Sequence, residues 1–121
     1  MPPRINQVVI YVSDMGRSVA FYRDGLGFPV RSESESWSEI DAGALTLALH
    51  ITSEAPVNAG WLAAGSADVQ VAVDNIEAAR RRLIDRGIDA PEPMVMEDIG
   101  LAIVQVHDPD GLTITISATT A

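Results

Sequence analysis

Two stretches of this chain recur in a second copy. Tyr11-Val12-Ser13-Asp14-Met15 aligns with Ala72-Val73-Asp74-Asn75-Ile76 at an offset of 61 (76 − 15). Asp41-Ala42-Gly43-Ala44-Leu45-Thr46-Leu47-Ala48-Leu49 aligns with Asp108-Pro109-Asp110-Gly111-Leu112-Thr113-Ile114-Thr115-Ile116 at 67 (108 − 41). A period of this length marks one supersecondary unit used twice. The six-residue difference between the offsets (67 − 61) falls between the helix and the final strand, where loops or bulges absorb insertions.

Each copy opens with a strand and continues into a helix. Over 5–12, Val8, Ile10 and Val12 share one face and Gln7, Val9 and Tyr11 the other. Asp14 is placed to cap a helix in which Met15, Val19, Tyr22 and Leu26 recur at helical spacing, until Gly25 and Gly27 end it. Three candidate strands follow, at 28–34, 36–41 and 44–51, with a turn at Asp41-Ala42-Gly43.

Residues 52–66, with Pro56, Asn58, Gly60 and Gly65, carry neither period and read as a connector. Alternation resumes at 68–73, and Asp74 with Glu77 predicts a capping box. The second helix is expected to turn Ile76, Ala79, Leu83 and Ile84 inward, to expose Arg80 to Arg82 in part, and to stop at Gly87. Candidate strands lie near 93–97, 101–107 and 112–117, the last two joined by the turn Asp108-Pro109-Asp110-Gly111. The pattern leaves open which side of the strand 101–107 faces inward. The expected architecture is one α+β domain of two tandem βαβββ modules, the first at about 4–52, a connector at 53–66 and the second at about 67–118.

Composition narrows the chemistry. A chain of 121 residues, 47% apolar, is long enough for a packed core without metal or disulfide staples. It has no cysteine, which removes disulfides, thiolate zinc sites and cysteine nucleophiles. Seventeen acidic residues against eight basic ones, all arginine, give a net charge of −9, which repels a phosphate backbone. That charge has two readings, general solubility or an acidic field for a cationic ligand. There is no apolar signal region and no run of the roughly 18 apolar residues that a membrane span needs, so a soluble cytoplasmic protein is expected. No glycine-rich phosphate loop, nucleophile elbow or paired-histidine metal motif occurs.

The segments Ile5-Asn6-Gln7-Val8-Val9-Ile10-Tyr11-Val12-Ser13-Asp14, Ala20-Phe21-Tyr22-Arg23-Asp24-Gly25-Leu26-Gly27-Phe28, Val73-Asp74-Asn75-Ile76 and His107-Asp108-Pro109-Asp110-Gly111 together resemble the vicinal-oxygen-chelate superfamily, the glyoxalase, bleomycin-resistance and extradiol-dioxygenase type. The resemblance runs over about residues 4–118. It implies two four-stranded sheets curling into one eight-stranded mixed sheet, with a helix on the convex side of each half and a pocket on the concave side. It also implies a homodimer, an arrangement common among such proteins and among oligomers generally.

Enzymes of this type hold a divalent metal through two positions on the opening strands and two on the closing strands. Here the resemblance places those positions at Gln7 and Asp68, then Ala48 and Thr115. A catalytic first-row metal takes about three donors among His, Asp, Glu and Cys. Ala48 has no donor and Thr115 only a neutral hydroxyl. His50 lies on the same strand face as Ala48, about 6–7 Å further on, and is either a substitute donor or a plain strand-end histidine. His107 is expected to be a solvated neighbour of its turn.

The expected pocket is therefore free of metal and of any other cofactor. Its candidate ligand-binding residues are Gln7, Val9, Tyr11, Ala48 and His50, with Asp68, Gln70 and Thr115 from the second module. Trp37 and Trp61 complete the set. Trp37 is either core or a ligand platform, and Trp61 either packs under the connector or lines a groove. Met94 and Met96 are expected in the core, or else in an adaptable pocket wall. The leading expectation is a metal-independent protein that sequesters a cationic or aromatic small molecule. One alternative is a metal-dependent glyoxalase, isomerase or dioxygenase-like enzyme using Gln7, Asp68 and His50. Another is a metal-free enzyme with Asp68 as general base.

Overall fold

The alternation at the start of the chain becomes strand β1 (Gln7–Val12), whose Ile10 and Val12 are buried while Gln7, Val9 and Tyr11 are exposed. This computed structural model describes residues 5, 7–53 and 69–120. After β1 come helix α1 (Met15–Ala20), a π-helical turn (Phe21–Gly25), and strands β2 (Val30–Ser32), β3 (Trp37–Asp41) and β4 (Thr46–Ile51). The second series is β5 (Val69–Ala72), α2 (Ile76–Asp85), β6 (Met94–Met96), β7 (Leu101–His107) and β8 (Thr113–Thr119).

Each series forms its own four-stranded mixed sheet, in the orders β1-β4-β3-β2 and β5-β8-β7-β6. Opening and closing strands run parallel, and the other neighbours are antiparallel. A parallel pair needs a long crossover, which the helix and two intervening strands provide. Tandem βαβββ modules are thus the observed architecture, and neither sheet closes into a barrel among the described residues. Contacts divide the chain into two compact units, Met1–Ala55 and Pro56–Ala121. No helix among the described residues is long and apolar enough to cross a membrane.

In the first unit, Asp14 caps α1 as expected, its Oδ1 accepting from the Arg17 N–H at 3.0 Å. The helix then widens, and the Leu26 N–H reaches the Phe21 carbonyl five residues back at 3.0 Å. The wide turn brings the consecutive aromatics Phe21 and Tyr22 into the core together, edge to face with centroids 5.1 Å apart. They pack with Met15 and Val19 in a layer that also buries Ile10, Val12, Ile40, Leu47 and Leu49. Each such side chain contributes roughly 1.5–3 kcal/mol by leaving water. Gly27, at φ 91, ends the helix, and Phe28 N–H closes back onto Tyr22 O.

Two expectations for α2 need correction. Its N-cap is Asn75, not Asp74: Asn75 has the extended φ of −135 and its Oδ1 accepts from Ala78 N–H at 3.0 Å. Glu77 is therefore one residue too early for a capping box, and it pairs with Arg80 instead at 3.9 Å. Ile84 is not inward but 45% exposed. The buried stripe is narrow: Leu83 is the buried residue of α2, and Arg80 is held nearby, its Nε donating to Ala90 O at 3.1 Å and Pro91 O at 2.9 Å. The Gly87 stop holds: Gly87, at φ 76, and Ile88 send their N–H groups back to Ile84 and Leu83.

Candidate functional site

The register of the first sheet arranges its open face, the side away from α1, as three rows. Gln7, Thr46 and Asp41 form one row, Val9, Ala48 and Glu39 the next, and Tyr11, His50 and Trp37 the last. The period of two turned outward by β1 is thus continued across β4 and β3.

The last row is aromatic. The His50 ring lies between Tyr11, with centroids 5.5 Å apart, and Trp37, 5.7 Å away and edge on. His50 Nδ1 is 2.7 Å from the Ile51 carbonyl. A proton on that nitrogen leaves Nε2 as the acceptor. Tyr11 is 64% exposed, so the cluster presents ring surface to solvent. Trp37 is half-buried on this face.

The opposite side of the face is charged. Arg31 Nη1 on β2 donates to Thr46 Oγ1 at 2.8 Å and lies 3.8 Å from Glu39 Oε1, and its Nη2 is 3.8 Å from Asp41 Oδ1. Trp37 Nε1 donates to Glu39 Oε2 at 3.1 Å and so joins the aromatic and acidic parts. Glu39, Asp41, Thr46 and Arg31 were not among the residues expected from sequence. The signal was present, because Trp37, Glu39 and Asp41 are two apart on one strand and must share a face.

The second sheet has the same rows with different chemistry. Gln70, Thr115 and Gln105 align, as do Ala72, Ser117, Ile103 and Met94. Gln105 Nε2 donates to Thr115 Oγ1 at 3.4 Å. The open side of β7 is thus Ile103, Gln105 and His107, while Ala102, Val104 and Val106 are buried on the other side. His107 is exposed beside its turn, as expected. The expectation of core positions for Met94 and Met96 is overturned: they are 62% and 36% exposed, because β6 is a three-residue edge strand.

Gln7, Val9, Tyr11, Trp37, Ala48 and His50 therefore share the open face of the first sheet, and Gln70 and Thr115 that of the second. Trp61 and Asp68 lie outside the described residues. Among the titratable groups, Arg23 is raised above its ordinary value, chiefly by its hydrogen bond to Asp24 and then by that carboxylate's charge. Arg23 therefore stays a cation.

A metal does not suit the four positions named by the resemblance. Ala48 is fully buried between Val9 and Glu39 and offers a methyl, and the Thr115 hydroxyl already accepts from Gln105. That leaves at most an amide, from Gln7, and one carboxylate, from Asp68, short of the usual donor set. His50 stands in the row of Tyr11 and Gln7 in the row of Thr46, at opposite ends of the face. Among the described residues no three His, Asp or Glu side chains gather as a metal site.

Paired βαβββ modules with open sheet faces define a class of small α+β proteins. This chain belongs to the Glyoxalase/Bleomycin resistance protein/Dioxygenase superfamily, whose sequence pattern matches residues 4–116. No curated protein matches it significantly in sequence. Among solved structures it is similar to SMU.1112c, at 26% identity and a TM-score of 0.80 over 95% of this chain and 98% of that one. It is similar to a glyoxalase family protein from Enterococcus faecalis, at 25% identity and a TM-score of 0.79 over 94% and 96% of the two chains. Lactoylglutathione lyase from Agrobacterium tumefaciens shares the fold, at 20% identity and a TM-score of 0.72 over 97% and 94%.

Proposed function

We propose that this chain is a metal-independent binding protein that sequesters a cationic aromatic small molecule against the open face of its first sheet. The observation that carries the reading is the aromatic row Tyr11–His50–Trp37 joined directly to the Glu39 carboxylate. Exposed rings beside an acid suit a flat cation, which gains ring contact, a cation–π attraction of about 0.5–2 kcal/mol and a countercharge together. The net charge of −9 adds a long-range attraction that salt screens. Ala48 and Thr115, in place of metal donors, favour binding over metal-assisted chemistry. Superfamily membership supports a small-molecule ligand and a homodimer.

The test is titration of the purified protein with cationic, neutral and anionic aromatic compounds, followed by tryptophan fluorescence at low and high salt. Cationic aromatics should quench, and salt should weaken them. No response across the panel at low salt would overturn the proposal. So would stoichiometric nickel, zinc or manganese in gently purified protein together with a metal-dependent isomerase activity. Light scattering at the expected dimer mass checks the assembly.

A further inference from the structure

We propose that Arg31 is a built-in competitor for the cationic part of the ligand, setting how much positive charge a compound must carry to bind. The inference rests on the binding face proposed above. Arg31 is the only described cation placed over the open face of the first sheet, and it sits beside both of that face's carboxylates, Glu39 and Asp41. The three charges sum to −1, so the guanidinium cancels half of the acidity that a ligand would meet.

Its hold on those carboxylates is weak. Both separations are 3.8 Å, beyond hydrogen-bond reach, and the Arg31 side chain is 49% exposed. Its one short contact is to the neutral Thr46 Oγ1 at 2.8 Å. Solvent-exposed pairs of this kind contribute little, so a ligand cation displaces the guanidinium at small cost.

The acceptor that would be released is also defined. Asp41 Oδ1 is occupied by Gly43 N–H at 3.1 Å, and Glu39 Oε2 by the Trp37 indole. Glu39 Oε1 has no hydrogen-bond donor among the described residues and only Arg31 nearby. A cation stacked on Trp37 would reach that oxygen, and Arg31 stands in its place. A monocation takes Glu39 Oε1 by displacing Arg31 from that one carboxylate. A dication matches the face only when Arg31 swings away and leaves both carboxylates uncovered. The ligand class favoured is therefore an aromatic dication, or a planar amidinium that outcompetes the arginine.

The experiment is calorimetric titration of the intact wild-type protein, Arg31→Gln and Thr46→Val with N-methylquinolinium, methyl viologen and neutral naphthalene methanol, with thermal melts confirming that each variant is folded. Arg31→Gln should bind N-methylquinolinium about three- to tenfold more tightly, methyl viologen with a larger gain, and the neutral compound unchanged. Thr46→Val, which frees the guanidinium without changing charge, should show a smaller gain. It carries the test if Arg31→Gln does not fold. Unchanged or weaker cation binding in both folded variants overturns the role of Arg31, while wild-type binding leaves the proposed function standing. No cation binding by wild type or variants overturns both. Binding by Arg31→Gln alone would overturn sequestration by the wild-type protein while supporting competition by Arg31.

Discussion

Trp37 donates its indole N–H to Glu39 Oε2 at 3.1 Å, so ring and carboxylate, two residues apart on β3, act as one unit on the open face. The main chain of Trp37 is held as well. Ser34 Oγ accepts from its N–H at 3.2 Å and donates to its carbonyl at 2.7 Å. A residue held at both its ring and its main chain loses little freedom when a ligand stacks on it, which lowers the entropic cost of binding.

Glu39→Gln separates the charge of this unit from its geometry. The amide oxygen can still accept the indole proton, so Trp37 keeps its place while the countercharge is lost. Affinity for a cationic aromatic should fall about three- to tenfold, and that for its neutral analogue should stay the same. Fluorescence titration of both compounds checks this, and an equal loss for both would assign Glu39 a purely structural role.

The cap of α2 gives a stability prediction. Asn75→Ala removes the acceptor of the Ala78 N–H and should cost about 1 kcal/mol. Asp74→Ala lies outside the helix and should change stability by less than about 0.5 kcal/mol. Urea denaturation of the two variants distinguishes them, and a reversal would restore Asp74 as the cap.

How much was legible in advance follows from which interactions are local. Alternation and caps are short-range, so the strands, the Asp14 cap and both helix-ending glycines could be read from sequence. The duplication even contained the right answer for α2, because its alignment sets Asn75 opposite Asp14, but the Asp74 and Glu77 spacing imitated a capping box. Ile84 and the two methionines depended on what packs against them. Arg80 is drawn to the Ala90 and Pro91 carbonyls, a contact that helical periodicity does not encode, and β6 is too short and too peripheral to bury its side chains. On the first sheet, period two put Gln7, Val9 and Tyr11 on the exposed face of β1, whereas Arg31 reaches that face from β2 through pairing that alternation alone does not specify.

Ser18 offers a stabilising substitution. Its side chain is fully buried under α1, and its Oγ has no hydrogen-bond partner among the described residues. A buried hydroxyl left unsatisfied costs about 1–3 kcal/mol, and alanine is also the better helix former. Ser18→Ala should therefore raise stability by about 0.5–1.5 kcal/mol, less than the full penalty because the vacated space loses some contacts. A thermal melt shifted upward with ligand binding unchanged is the expected result. A downward shift would mean that the hydroxyl fills its site better than a void does.

Asp108 is the most consequential of the turn residues. It is 4% exposed, and its Oδ1 accepts from Asp110 N–H at 2.9 Å and Leu112 N–H at 2.8 Å, while its main chain pairs with Gly111 and Leu112. The carboxylate thus replaces ladder partners that the chain loses in reversing between β7 and β8, and Gly111 supplies the φ of 89 that completes the reversal. Asp108→Ala leaves two inward-pointing N–H groups without acceptors and should cost about 2–4 kcal/mol. Asp108→Asn keeps an oxygen in the same place without the charge, so its cost should be about half as large. Both variants should keep their ligand affinity once folded, because the turn's carboxylate is absent from the proposed site on the first sheet. Equilibrium unfolding paired with titration measures the two effects separately, and equal destabilisation by the two substitutions would show that the charge, rather than the acceptor geometry, holds the turn.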